Sequence, residues 1–242
     1  MSELPDGVLM EFVLRMPFNY PDAYLAGRTE FMQLDFHTDP RALIPRLETE
    51  VLVKEAGRLL QERVPDLIID TGTGTGIIPI TLAKRYGYAN ALIATDIDPD
   101  ALGLAAENAI LHDVGVELIQ CDLLDSPELR QAISGVGSVL FVANLPYVPE
   151  RDANLVSADT VYEPRHALYA GEDGYDCIAV YLEQFRGLIE THPNMSIALI
   201  MEMDPSHTDR TLSVLSDLGT AEPFADYAGD IRFVRFTRLW KN

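Results

Sequence analysis

Basic residues are what this 242-residue chain has least of. It carries 18 lysines and arginines against 38 aspartates and glutamates, a formal net charge of −20. Lysine occurs only at positions 54, 84 and 241. A protein that grips nucleic acid ordinarily presents a basic stripe to neutralise phosphates, so DNA or RNA is disfavoured as a direct partner. Arginines gather only near the end, at Arg232, Arg235 and Arg238, where they balance neighbouring acids as readily as they form a patch. Two cysteines, Cys121 and Cys177, make neither a disulfide framework nor a zinc site, and the five histidines lack ligand spacing; no metal is expected. No apolar run is long enough to span a bilayer and no signal peptide is read, so the expected setting is cytoplasmic, away from membranes. Repeats and low-complexity tracts are absent too.

What is present is a succession of short apolar runs that each end in polar residues. Leu67 to Asp70 runs into Thr71-Gly72-Thr73-Gly74-Thr75-Gly76, and a helix opens at Ile77 with Pro79 in its first turn, where a missing N–H costs little. The dinucleotide fingerprint Gly-x-Gly-x-x-Gly fails here: counted from Gly72 its third glycine falls on Ile77, and counted from Gly74 on Pro79. A P-loop ending is missing as well. An acid at Asp70 repels a pyrophosphate and suits a cation, which favours S-adenosylmethionine; a Gly-rich structural turn is the alternative. The strand Ala91 to Thr95 ends at Asp96-Ile97-Asp98, placing an acid about 20 residues past the glycines, where a ribose diol is held in doubly wound folds. Asp96 takes that role, with Ile97 beside it, and Asp98 caps the helix near Pro99. A third strand, Val116 to Gln120, ends at Cys121-Asp122-Leu123; Asp122 suits an exocyclic adenine amine, with a solvated loop acid as the alternative.

The fourth strand, Ser138 to Ala143, ends in Asn144-Leu145-Pro146-Tyr147. The Asn144 side-chain carbonyl and the Leu145 backbone carbonyl are two acceptors beside one aromatic ring, a grip for an NH2 group on glutamine, asparagine or adenine. Pro146 keeps Leu145 out of the helical region. Helices are expected over Thr49 to Glu62, Ala101 to His112, Gly174 to Glu190 and Thr208 to Leu218, the last stopped by a C-cap at Gly219. Ile197 to Glu202 is a fifth strand. Ala221 to Asp226 and Ile231 to Arg238 form a hairpin about Gly229. This alternation predicts an α/β fold: a doubly wound, mainly parallel, seven-stranded Rossmann-like sheet with a C-terminal antiparallel hairpin. Residues 1–45 read as a short segment with a helix and a β-hairpin, and 46–242 as the main domain. Leu9, Phe12, Val13 and Met16 suggest one short amphipathic helix.

From about Tyr24 onward the chain resembles the HemK/PrmC family, the glutamine N5-methyltransferases of peptide-chain release factors. The resemblance rests on Gly27-Arg28-Thr29-Glu30-Phe31, on Leu43-Ile44-Pro45-Arg46-Leu47-Glu48-Thr49-Glu50, and on the glycine loop, Asp96 and the Asn144-to-Tyr147 motif in the family's order. It extends through Tyr162-Glu163-Pro164-Arg165-His166-Ala167-Leu168 and Ala170-Gly171-Glu172-Asp173-Gly174. The resemblance implies a class I S-adenosylmethionine-dependent methyltransferase, whose product is S-adenosylhomocysteine. Asp70, Gly72, Thr73, Gly74, Gly76, Asp96, Ile97, Asp122, Leu123 and Asn144 would hold the cofactor. Asn144, Leu145, Pro146 and Tyr147 would hold a glutamine of a release factor's Gly-Gly-Gln loop. Glu163 either shapes the pocket or is a buried structural carboxylate; Arg46 and Glu50 are read as structural. Leu145 and Leu47 stand where the family has Pro, and Asn-Leu-Pro-Tyr also occurs in ribosomal-RNA adenine dimethyltransferases. An adenine N6-methyltransferase acting on nucleic acid is therefore the rival class, with a non-catalytic binding module third. The family's N-terminal helical bundle is largely missing, which leaves docking altered or supplied by a small partner protein.

Overall fold

The computed structural model describes residues 19–240, so the helix expected around Leu9 to Met16 lies outside the described residues. A short helix α1 (Asp22–Ala26) leads into a hairpin of β1 (Arg28–Phe31) and β2 (Leu34–His37), turned through Met32 and Gln33 at φ 47° and 62°. Its buried Phe31 and Phe36 join the same apolar cluster as Leu52, Leu59 and Ile80, so the hairpin packs onto the main domain. The rest alternates: α2 (Thr49–Glu62), β3 (Leu67–Thr71), α3 (Ile77–Tyr86), β4 (Ala91–Asp96), α4 (Pro99–His112), β5 (Glu117–Gln120), α5 (Pro127–Ser134), β6 (Ser138–Asn144), α6 (Asp176–Thr191), β7 (Ser196–Glu202), α7 (Thr208–Ser216), β8 (Thr220–Ala225) and β9 (Ile231–Arg238).

Seven strands form one sheet in the order β5-β4-β3-β6-β7-β9-β8, with β3 to β7 parallel and β9 antiparallel to both its neighbours. This is the doubly wound, mainly parallel sheet with a C-terminal antiparallel hairpin expected from the alternation. Its central strands are buried on both sides, which is why they read as continuous apolar runs. Leu67, Ile69, Val139, Phe141, Ile197 and Leu199 face α5, α6 and α7. Ile68, Leu140, Val142, Ala198 and Ile200 face α2, α3 and the hairpin. Chain order reverses between β3 and β6, whose carboxyl ends therefore open the crevice where doubly wound folds bind ligands.

Helix boundaries are set by local chemistry. Asp98 caps α4, its carboxylate accepting the Asp100 N–H at 2.9 Å. Ser126 does the same for α5, accepting the Leu129 N–H at 3.1 Å; this helix is additional to those expected, and Ser126-Pro127-Glu128 is its start signal. Two expected boundaries need correction. α6 starts at Asp176, because Gly174 sits in the left-handed region at φ 80°. α7 ends at Ser216, and Gly219 is no left-handed cap. A Cβ at Gly219 would lie 2.7 Å from both the Phe236 ring and the Thr237 carbonyl, so close packing on β9 accounts for that glycine.

Candidate functional site

The glycine loop after β3 folds back on β4: the Gly72 and Thr73 N–H groups both donate to the Thr95 carbonyl at 2.9 Å. Gly72, Gly74 and Gly76 take φ of 70°, 53° and 75°, a left-handed conformation at every second residue that bulkier side chains resist. Asp96 closes the loop. Its Oδ2 accepts the Gly74 N–H at 2.9 Å and its Oδ1 the Asp98 N–H at 3.0 Å. Buried Asn108 on α4 ties the loop to the hairpin: its amide donates to the Thr75 carbonyl at 2.9 Å and its Oδ1 accepts the His37 N–H at 2.7 Å. The sequence offered no signal for that residue.

A cavity of ≈ 240 Å³ lies over this loop. Of the residues expected to hold a cofactor, it is lined by Gly72, Thr73, Gly74, Asp96, Ile97, Asp122, Leu123 and Asn144. Asp70 and Gly76 are not in its lining; both are buried beneath it. Unexpected lining residues include Thr49, the stretch Arg41 to Arg46, His166 and Cys177. Leu123 stands at φ 58°, a strained position for leucine, with its carbonyl accepting the Thr95 hydroxyl at 3.2 Å. His166 Nε2 lies 3.3 Å from an Asp98 carboxylate oxygen. Apolar walls with an aspartate at each of two strand ends suit an adenine ring and a ribose, so the residues present fit S-adenosylmethionine.

Asp70 is fully buried, and neither carboxylate oxygen reaches full hydrogen-bond geometry with a described residue. Burial pushes its carboxyl up to about 7; the Thr73 hydroxyl works against this, and the charge of Asp96 adds to it. A folded-state value above the unfolded one stabilises the fold at low pH, an advantage lost as pH rises to about 7. Asp70 is therefore expected to withdraw stability from the cofactor-free protein between about pH 4 and pH 7, with Glu202, also held up to about 7 by burial, acting in the same direction, and Asp70→Asn to reduce that slope without abolishing it. Denaturant midpoints measured across this range test it.

A second cavity, of ≈ 440 Å³, lies beside the first and shares with it Leu43, Arg46, Asn144, Leu145, Pro146 and Ala167. Tyr147 lines only this second cavity. The turn after β6 is thus the wall between the two. Leu145 is 2% exposed, and its side chain packs over Gly72, 3.2 Å from where a Cβ would stand. Among the described residues, no N–H or hydroxyl donates to the Leu145 carbonyl. The Asn144 amide donates to the Thr49 hydroxyl at 3.1 Å, which leaves its Oδ1 as an acceptor. The Tyr147 hydroxyl donates to Glu202 at 3.0 Å, and the Thr49 hydroxyl donates to the same carboxylate at 3.2 Å.

The loop 163–174 backs this wall. Glu163 is the buried structural carboxylate of the two expected alternatives: it accepts the Ile44 N–H at 3.0 Å and Arg46 at 2.5 Å. Glu50 pairs with Lys54 on the α2 surface at 2.9 Å. The Val148 N–H donates to the Leu168 carbonyl at 2.9 Å, and Ala170 returns a bond to Val148 at 3.1 Å. Arg232 is paired with Asp226, and Arg235 with Glu55 and Glu222, so neither leaves a free cation for a phosphate. Among the described residues no group of three or more His, Cys, Asp or Glu side chains is placed to hold a metal ion. No helix there is long and apolar enough to cross a membrane.

Residues 68–163 match a family described as a methyltransferase domain. The release factor glutamine methyltransferase of Moorella thermoacetica is 35% identical over 236 residues, covering 96% of this chain and 80% of its own length. That of Deinococcus radiodurans is 34% identical over 219 residues, covering 90% and 74%. That of Escherichia coli K12 is 37% identical over 170 residues, covering 70% and 58%. Among solved structures, the hMettl16 catalytic domain in complex with a MAT2A 3'UTR hairpin superposes with a TM-score of 0.60 at 14% identity, covering 83% of this chain and 74% of that one. A methyltransferase from Pyrococcus furiosus gives 0.54 at 14% identity, covering 85% and 89%. At such identities the solved structures share the fold alone.

Proposed function

Because the chain belongs to the release factor glutamine methyltransferase family, and is on that ground an S-adenosylmethionine-dependent methyltransferase, we propose that its acceptor is the side-chain amide nitrogen of a glutamine, in the Gly-Gly-Gln loop of a peptide-chain release factor. The observation that carries this reading is the shared wall: Asn144, Leu145 and Pro146 border both cavities, so a group held by them faces the cofactor side at close range.

Gly72 to Gly74, Asp96, Ile97, Asp122 and Leu123 would hold the cofactor, which when bound supplies a methyl group made electrophilic by its sulfonium. An amide nitrogen is a poor nucleophile because its lone pair is delocalised into the carbonyl. Two acceptors, the Asn144 Oδ1 and the Leu145 carbonyl, would take the two N–H groups and favour positive charge developing on nitrogen. They also fix the direction of attack, which supplies rate through orientation. Tyr147 would pack against the amide and exclude water. Residues of the second cavity (Val156, Ser157, Asp159 and Thr160 among them) would surround the peptide on either side of the glutamine.

The test is transfer of labelled methyl from S-adenosylmethionine to a purified release factor, beside a version with the loop glutamine changed to alanine. Label on the native factor alone is the expected result. Label on RNA supplied in parallel overturns it in favour of an adenine acceptor. Absence of label with cofactor binding intact removes the release factor acting alone as substrate, and directs the assay to an added small partner protein.

A further inference from the structure

Glu202 ends β7 deep beside the wall, 1% exposed and 153 residues from the threonine it binds. Thr49, 3% exposed, is the first helical residue of α2, one past the N-cap position, which Glu48 occupies. The Thr49 hydroxyl turns inward, donates to Glu202 Oε2 at 3.2 Å and accepts from Asn144 Nδ2 at 3.1 Å. On its other oxygen Glu202 accepts the Tyr147 hydroxyl at 3.0 Å.

We infer that Glu202 is a positioning residue for the acceptor amide: through Thr49 it selects which end of the Asn144 side chain faces the cavities, and it holds the Tyr147 ring beside that end. The inference rests on the reading of Asn144 given above. Burial holds the Glu202 carboxyl up to about 7, so the polarity is set above that pH, where the transfer assays belong: an ionised carboxylate can only accept, and a hydroxyl has one proton. Once Thr49 gives that proton to Glu202, it can only accept from Asn144, so the NH2 end of Asn144 must turn toward Thr49. The oxygen is then the end left free to accept, on a residue that lines both cavities. The two ends of an amide are nearly the same size, so packing alone does not choose between them. The polarity of the chain does. Reversed, Asn144 would present two donors to an incoming NH2 group, and the grip would become a repulsion.

A structural strut from β7 to α2 would use the same contacts, and three variants of the full-length chain separate the two. Thr49→Val keeps the shape and removes both bonds; Thr49→Ser keeps both bonds. Glu202→Met removes the acceptor and frees the Thr49 proton for Asn144. Thr49→Val and Glu202→Met are expected to lower kcat by about 10- to 100-fold, the worth of a buried bond left unmade or reversed, with KM for the release factor changed less than kcat. Thr49→Ser is expected near the parent. In the double variant the losses are expected to fall short of the product of the two single losses, since one acts through the other.

The second readout needs no substrate. In protein labelled with nitrogen-15 at asparagine, the side-chain cross-peaks of Asn144, assigned by their loss in Asn144→Ala, are expected to shift in Thr49→Val and to stay in place in Thr49→Ser. Unshifted peaks in Thr49→Val overturn the inference, as do equal losses in the valine and serine variants. If the parent transfers no methyl to a release factor, the proposed acceptor fails, and the cross-peaks still decide the role of Glu202.

Discussion

Asn144→Ala is expected to lower methyl transfer to the release factor by about 10²- to 10³-fold in kcat, the cost of deleting one preorganised polar group aimed at developing charge. Cofactor affinity is expected to stay within about threefold, because the loop and Asp96 are held by their own backbone bonds: Gly72 and Thr73 to Thr95, Gly74 to Asp96. The change is local for a second reason. Thr49 keeps its bond to Glu202 when Asn144 is gone, so α2 and β7 remain joined. Single-turnover rates with labelled cofactor, and calorimetric titration of the cofactor alone, give the two numbers. A loss in affinity as large as the loss in rate would place Asn144 with the cofactor and not with the acceptor. Asn144→Asp is a sharper variant of the same test: it keeps an acceptor, but loses the NH2 that Thr49 accepts and adds a carboxylate near Glu202.

How much of this was legible in the sequence follows from the range of the forces involved. Strands buried on both faces are apolar throughout, so Leu67 to Thr71 and Ser138 to Asn144 could be read within a residue of their ends. Caps are made within three residues, and Asp98 was legible for that reason. The fold and the family are borne out by the sheet order and by relatives that bear the family's name. What was not legible is long-range pairing. Nothing near Thr49 announces Glu202, and nothing near Asn108 announces the glycine loop it braces at Thr75. Both are polar groups buried by the fold itself, and their partners exist only once the sheet has formed. The misreading of Gly219 has the same origin: a glycine after a helix pattern suggests a cap, while its actual neighbour is a ring on β9. Asp70 shows the limit in the other direction. Its position before the glycines was plain, but its burial under the loop, outside the cavity lining, was not.

The Ala170-to-Gly174 block, which carried much of the resemblance, gains a physical reason from the backbone it touches. A Cβ at Gly174 would lie 2.2 Å from the Tyr147 carbonyl oxygen and 2.9 Å from the Pro149 nitrogen, both main-chain atoms that cannot rotate aside. Gly174 also sits at φ 80°. Gly174→Ala is therefore expected to cost about 2–4 kcal/mol of stability, through strain and overpacking together, and to displace the turn that presents Leu145 and Tyr147. Two controls separate these causes. Gly87, at φ 68° with nothing within 4 Å of its Cβ position, should cost only the left-handed penalty of about 1–2 kcal/mol when changed to alanine. At Gly171, φ 75°, the added Cβ meets the carboxylate of exposed Asp176, a side chain that can swing into solvent. Its cost should fall near that of Gly87→Ala, with methyl transfer retained. Denaturant midpoints for the three variants, read beside their transfer rates, decide the matter. Equal midpoints would mean that backbone conformation alone required glycine at position 174. A Gly174→Ala protein that is destabilised and also slow, when folded and saturated with cofactor, would show that the block acts on the catalytic turn as well as on the fold.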